Sequence, residues 1–186
     1  MNHQWRVPCL GIPLLTTLCV CSALILLVAA NTPTEPEPNA MLDHIRQEMA
    51  DDDGRIRIFD QYFDETHIAQ GEAVYQQYCA ACHGVNAEGQ FPAAPLQPDS
   101  TGRYGAPPHN ETGHTWHHSD VLLLRYLREG GFADPKRFYQ MPSFGAVLTE
   151  EQMLHVIAYI KTLWTPEQRV RQRYVTEEEA RRFGGQ

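Results

Sequence analysis

Hydrophobic and polar positions change character several times along the chain. Cys9 to Ala30 is an unbroken run without a charged residue, preceded by Arg6. As a helix it would span roughly 33 Å, close to the hydrocarbon thickness of a bilayer. The run predicts either an uncleaved membrane anchor or a signal peptide cut after the small residues Val28-Ala29-Ala30. Both place the remainder outside the cytoplasm. Asn31 to Ala40 holds Pro33, Pro36 and Pro38 with two glutamates, the composition of an extended, solvated spacer. Met41, Leu42, Ile45 and Met49 then recur at helical spacing and predict a short amphipathic helix. Arg55 to Phe59 alternates like a strand, but it is too short and isolated to define a sheet.

The compact domain is expected to start near Ile68. Ala69 to Ala81 predicts a helix with Gly71, Tyr75, Tyr78 and Cys79 toward one side, and the Gly- and Pro-rich stretch Val85 to Pro108 predicts loop. Ser119 is a good N-cap for a helix over Asp120 to Glu129, stopped by Gly130-Gly131. Lys136 to Gly145 is another loop. Thr149 and Gln152 form a capping box for a helix reaching about Trp164. A charged helix over Glu167 to Arg182 follows Pro166. The resulting division is 1–30, an export segment; 31–67, spacer and amphipathic segment; 68–165, the domain; and 166–186, a charged tail. Every regular element of the domain is predicted helical. Three helices with long loops enclose too little apolar volume alone, so something else is expected to fill the middle.

Charge narrows the partners. Fifteen basic against 23 acidic side chains give a formal net charge of −8. With no basic block, the chain is a poor match to nucleic acid, which demands clustered Lys and Arg. An acidic domain would be drawn to basic surfaces on protein partners, in a salt-dependent way; simple solubility is the plainer explanation.

The five cysteines are unevenly placed: Cys9, Cys19 and Cys21 lie in the apolar run, leaving Cys79 and Cys82. Cys79-Ala80-Ala81-Cys82-His83 is a C-x-x-C-H motif, the pattern of c-type haem attachment. Two thiols on one helical turn can each form a thioether to a haem vinyl group, and the adjacent imidazole then reaches the iron. A redox-active C-x-x-C would follow a strand, and a zinc site would need further ligands. Neither is evident, though short motifs also recur by chance. One covalently attached haem c would supply the missing core. Of the methionines beyond the apolar run, Met41 and Met49 precede the motif and Met153 fits a helix core. Met141 sits on a loop before Pro142 and is the candidate second iron ligand, with a structural role as the alternative.

Gly71-x-x-x-Tyr75-x-x-x-Cys79-Ala80-Ala81-Cys82-His83-Gly84 resembles the first helix and haem motif of class I cytochromes c. Val156 to Lys161 resembles their last helix, and Met141-Pro142-x-Phe144 their distal-methionine loop. The resemblance covers about Ile68 to Trp164. It implies an all-α cytochrome c-like fold around one haem, and an electron carrier rather than an enzyme. It also implies single-electron transfer between periplasmic or membrane partners at the exposed haem edge. It further implies that Gly71 lets the terminal helices cross closely, and that a proline carbonyl accepts the ring proton of His83. Pro95 matches that role best, with Pro92 as runner-up. A periplasmic location follows, on the membrane if the first segment stays attached and soluble if it is removed.

His109, His114, His117 and His118 fall within ten residues, a departure from a minimal class I domain. The stretch Gly113 to His118 resembles one found in a subgroup of bacterial monohaem cytochromes c. Three uses stay open: a copper, nickel or zinc site; contacts from His114, Trp116, His117 and His118 to the haem propionates; or a loop simply packed over the haem edge. Arg103 is a further propionate candidate. Two alternative functions accompany the carrier. One is a haem subunit docked to a specific oxidoreductase through the tail, and the other is metal handling by the histidines.

Overall fold

The computed structural model describes residues 38–184, with side chains from 42 onward; the apolar run Cys9 to Ala30 and most of the Pro-rich spacer lie outside the described residues. Among the described residues no helix is long and apolar enough to cross a membrane. The elements are α1 (Pro38–Asp51), a hairpin of β1 (Ile56–Ile58) and β2 (Gln61–Phe63), and α2 (Glu65–Tyr78). A one-turn helix α3 (Ala80–His83) and, after a long loop, a 3-10 turn over Thr115–His117 come next. The chain ends with α4 (Asp120–Glu129), α5 (Glu150–Thr162) and α6 (Pro166–Phe183).

The elements start where the capping chemistry starts them. Ser119 Oγ accepts from the Leu122 N–H, and Thr149 with Gln152 makes the expected reciprocal box. The first core helix begins earlier than its apolar spacing suggests, at Glu65, because Asp64 caps it through the Thr66 and His67 N–H groups. It also ends earlier. Cys79 closes α2 and opens α3, so the predicted single helix over Ala69 to Ala81 is two segments. Gly84, at φ 84°, ends the second.

α2 and α5 cross at closest approach through Gly71. A β-carbon there would overlap the His155 carbonyl oxygen and meet Tyr159 Cβ at 3.1 Å. Tyr75 and Val156 are fully buried beside the crossing, and the Tyr75 hydroxyl donates to the Gly84 carbonyl at 3.0 Å.

The chain before Ile68 is part of the fold. The compact unit begins at Met41. The isolated strand expected at Arg55 to Phe59 finds a partner: Ile56 pairs with Phe63 and Ile58 with Gln61. Ile56, Ile58 and Phe63 enter the main core. The partner strand carries no alternation of its own, its first two residues being exposed, which hid it in the sequence. The helical face expected in α1 is narrower than its spacing implied: Ile45 is buried, but Leu42 and Met49 are exposed. Ion pairs hold the helix end instead, Arg173 reaching Glu48 at 3.0 Å and Asp52 at 3.2 Å.

A buried polar cluster joins the hairpin to the last three helices. Lys161 Nζ lies 2.6 Å from Asp120 Oδ1, both side chains only 4% exposed, and donates to the Arg57 carbonyl at 2.7 Å. Asp120 also accepts from the Phe59 N–H at 2.8 Å and from Gln172 Nε2 at 2.8 Å, and its own N–H donates to Thr176 Oγ1. Burial lowers the Lys161 pKa although Asp120 opposes the shift. The tail α6 is thereby a packed element with Val170 and Gln172 buried, not a free charged helix.

Gly71→Ala should destabilise the haem-loaded protein. Ala favours a helix by up to ~1 kcal/mol over Gly, but overlap with the His155 carbonyl costs about 1–3 kcal/mol. Guanidinium unfolding should show a lower midpoint; an equal or higher one would mean that the helices do not touch there. Lys161→Met leaves Asp120 buried without its cation, at a cost of about 3–5 kcal/mol. Adding Asp120→Asn, which removes the charge but keeps an acceptor for the Phe59 N–H, should recover part of that loss in the same measurement.

Candidate functional site

The last turn of α2, α3, α4, α5 and the loops around 90–107 and 131–144 enclose a cavity of about 540 Å³. Apolar groups dominate its wall, among them Leu123, Leu127, Ile157, Ile160 and Phe144. Cys79, Cys82, His83 and Met141 all line it. The break at Cys79 gives the two thiols different surroundings. Cys79 is buried and Cys82 is exposed. Burial, with Cys82 adding to it, pushes the Cys79 thiol up to about 12.

His83 is buried, and its Nδ1 lies 2.8 Å from the Pro107 carbonyl oxygen. A carbonyl can only accept, so Nδ1 carries the ring proton and Nε2 keeps a free lone pair. Burial also lowers the His83 pKa, against the opposing effect of Pro107, and favours the neutral ring that metal ligation requires.

The carbonyl comes from Pro107, not from the expected Pro95 or Pro92. The chain leaving α3 runs beside residues 106–109. Gln90 N–H donates to the Ala106 carbonyl at 2.9 Å, and His109 N–H to the Ala87 carbonyl at 2.9 Å. Pro107 is thus carried to His83, 24 residues away. Pro95 lies in consecutive turns after Phe91; it is half-buried in the cavity wall, while Pro92 is exposed.

Met141 is held by the C-terminal end of α4. Its carbonyl accepts from the Gly131 N–H at 2.9 Å, the Phe144 N–H donates to the Leu127 carbonyl at 2.9 Å, and Ser143 Oγ donates to the Arg128 carbonyl at 2.6 Å. Gly130, at φ 87°, permits this approach: a β-carbon there would lie 2.8 Å from the Met141 oxygen. Met153 is buried in the core, as its helical position suggested.

The histidine-rich stretch separates in space. His114 and His118 line the cavity, their ring centroids 5.5 Å apart. His117 packs on Trp116 at 3.7 Å and is not part of the cavity wall. Trp116 is likewise outside the wall, and its indole N–H donates to the Gly113 carbonyl. Arg103 stacks over Tyr139 at 4.0 Å and donates to the Phe138 carbonyl; it too is outside the wall, and its buried Nε has no partner. Among the described residues no group of three or more His, Cys, Asp or Glu is placed to hold a metal ion. The rings point into different surroundings.

His109 had no individual role in the sequence beyond membership of this group. It lines the cavity, and its ring stacks on that of His83, with centroids 3.9 Å apart and planes 22° apart. Desolvation, reinforced by His83 and His114, holds it well below the ordinary histidine pKa. The only local sign of its place was the rigid Pro107-Pro108 pair before it.

The donor set fits a covalently held haem: two thiols, a neutral imidazole with its second nitrogen already engaged, a thioether, and apolar walls. A family model described as cytochrome c matches residues 68–164, just over half of the chain. No curated protein and no solved structure matches it. The matched residues hold both the motif and all of the cavity wall, and on that ground the chain belongs to the cytochrome c family, with covalently attached haem c and the general role of a haem-based electron carrier.

Proposed function

We propose that the protein is a monohaem cytochrome that carries single electrons through an iron ligated by His83 and Met141. The observation that carries this reading is that His83, with Nδ1 engaged by Pro107, and Met141 line one cavity together with Cys79 and Cys82. The bound haem supplies a one-electron iron couple. Cys79 and Cys82 would hold the macrocycle as thioethers. Pro107 and the buried surroundings of His83 orient the imidazole and keep its Nε2 unprotonated. A thioether favours ferrous iron, so Met141 would raise the potential. If His83 and Met141 both held the iron, no coordination position would be left for a substrate, which favours a carrier over an enzyme.

The net charge of −8 favours partners with basic docking surfaces, and predicts association that weakens with salt. The apolar run at the N-terminus supports work outside the cytoplasm, at the periplasmic face of a membrane if it stays attached. The tail has its buried face against its own domain, which disfavours the reading of a dedicated docking helix.

Met141→Ala should abolish the sulfur-to-ferric-iron charge-transfer absorption and lower the reduction potential, with the covalent haem retained. An unchanged spectrum would remove Met141 as the ligand. The intact mass of the purified protein should exceed that of the chain by one haem, and Cys79→Ala/Cys82→Ala should release the haem to acidic acetone.

A further inference from the structure

The ring of His109 serves no role in the carrier scheme above, yet its surroundings fix it closely. Its backbone is held at both polar groups: the N–H donates to the Ala87 carbonyl at 2.9 Å, and the carbonyl accepts from the Trp164 indole N–H at 2.8 Å. Its side chain is held as well. Thr115 Oγ1, which is buried, donates its one proton to the Pro108 carbonyl at 3.2 Å and lies 2.8 Å from His109 Nδ1. The plane of His109 is therefore set by a group on the 3-10 turn rather than by packing alone.

That plane lies on the face of His83. The Pro107 carbonyl grips the His83 ring at its edge, where a single hydrogen bond resists rotation in the ring plane but only weakly resists tilting out of it. A flat ring at 3.9 Å resists the tilt. Edge and face are thus restrained by residues two apart on one rigid segment that begins with two prolines.

We propose that His109 is a positioning residue for the iron-binding imidazole: stacked on His83 and pinned by Thr115, it fixes the plane in which His83 meets the iron. The inference rests on the reading of His83 as an iron ligand. The plane of an axial imidazole sets how its π orbitals overlap the iron d orbitals, and so the anisotropy of the ferric g-tensor. A plane held in one orientation gives narrow lines; a plane free to tilt gives displaced and broadened ones. Fixing the ligand also keeps its geometry alike in both oxidation states, which suits electron transfer.

The test is low-temperature paramagnetic resonance and potentiometry of the haem-loaded protein with three substitutions. His109→Leu keeps bulk but removes the flat face; it should displace and broaden the ferric g-values and shift the potential. His109→Phe restores the flat face without the hydrogen bond, and should return the g-values toward wild type. Thr115→Val keeps the His109 ring but removes its pin, and should broaden the lines even if His109→Leu fails to fold. Wild-type g-values, linewidths and potential in His109→Leu would overturn the proposal, as would equal displacement in the Leu and Phe variants. Histidine-nitrogen hyperfine coupling in the wild type separates the two levels. Its absence sinks the His83 reading and this one together, whereas its presence beside an unaltered His109→Leu spectrum sinks this one alone.

Discussion

The crossing of α2 and α5 at Gly71 sets the position of everything around the haem cavity. With no β-carbon between the helices, the α2 backbone lies against the His155 carbonyl, and Tyr75 is sealed beside Val156. That contact fixes the line of α2 and hence the point in space at which it ends. The end is Cys79, and the turn from Ala80 to His83 hangs from it. Tyr75 reinforces the arrangement by donating from the helix to Gly84, the residue that closes the turn. A shift of either helix would carry both thiols and the imidazole away from the wall supplied by α4 and α5.

α5 also separates two incompatible environments. Ile157 and Ile160 line the cavity, and Val156 packs fully buried in the core. Lys161, the next residue, meets Asp120 and the Arg57 carbonyl on another side. A buried charge near the iron would bias its potential, so a buried ion pair is better placed away from the cavity wall. There it costs desolvation but fixes geometry, because Asp120 simultaneously holds β-hairpin, α5 and α6 through hydrogen bonds of defined direction. The hairpin and the tail complete the domain by closing over this cluster, beyond the stretch that the cytochrome c family model covers.

What the sequence made legible was local chemistry. Ser119 and Thr149 satisfy orphan helix N–H groups within three residues, so the starts of α4 and α5 were readable without any tertiary information. The C-x-x-C-H turn is equally local, and so are the proline and loop position that singled out Met141, which the fold brings to the cavity wall. What failed depended on distant partners. The identity of the carbonyl facing His83 depends on the pairing of 87–90 with 106–109, so Pro95 and Pro107 could not be separated by motif. The β-hairpin depended on a second strand with no alternation, and the fate of α6 on Asp120 and Glu48, residues far from it in the chain.

The histidine-rich stretch shows why density along a chain is a poor guide to a shared site. The 3-10 turn covers only Thr115–His117, and at about 120° per residue its three side chains point to different sides. Thr115 faces the cavity and Trp116 and His117 do not, while His114 and His118, which flank the turn, line the wall beside Thr115. Thr115, between these groups, turns inward to hold His109, the histidine furthest from the others in sequence. Imidazoles that look like one cluster when written in a line thus divide among the stack on His83, the cavity wall and the outer surface. The residue that packs on the histidine of the haem motif is the one that the local pattern gave least reason to single out.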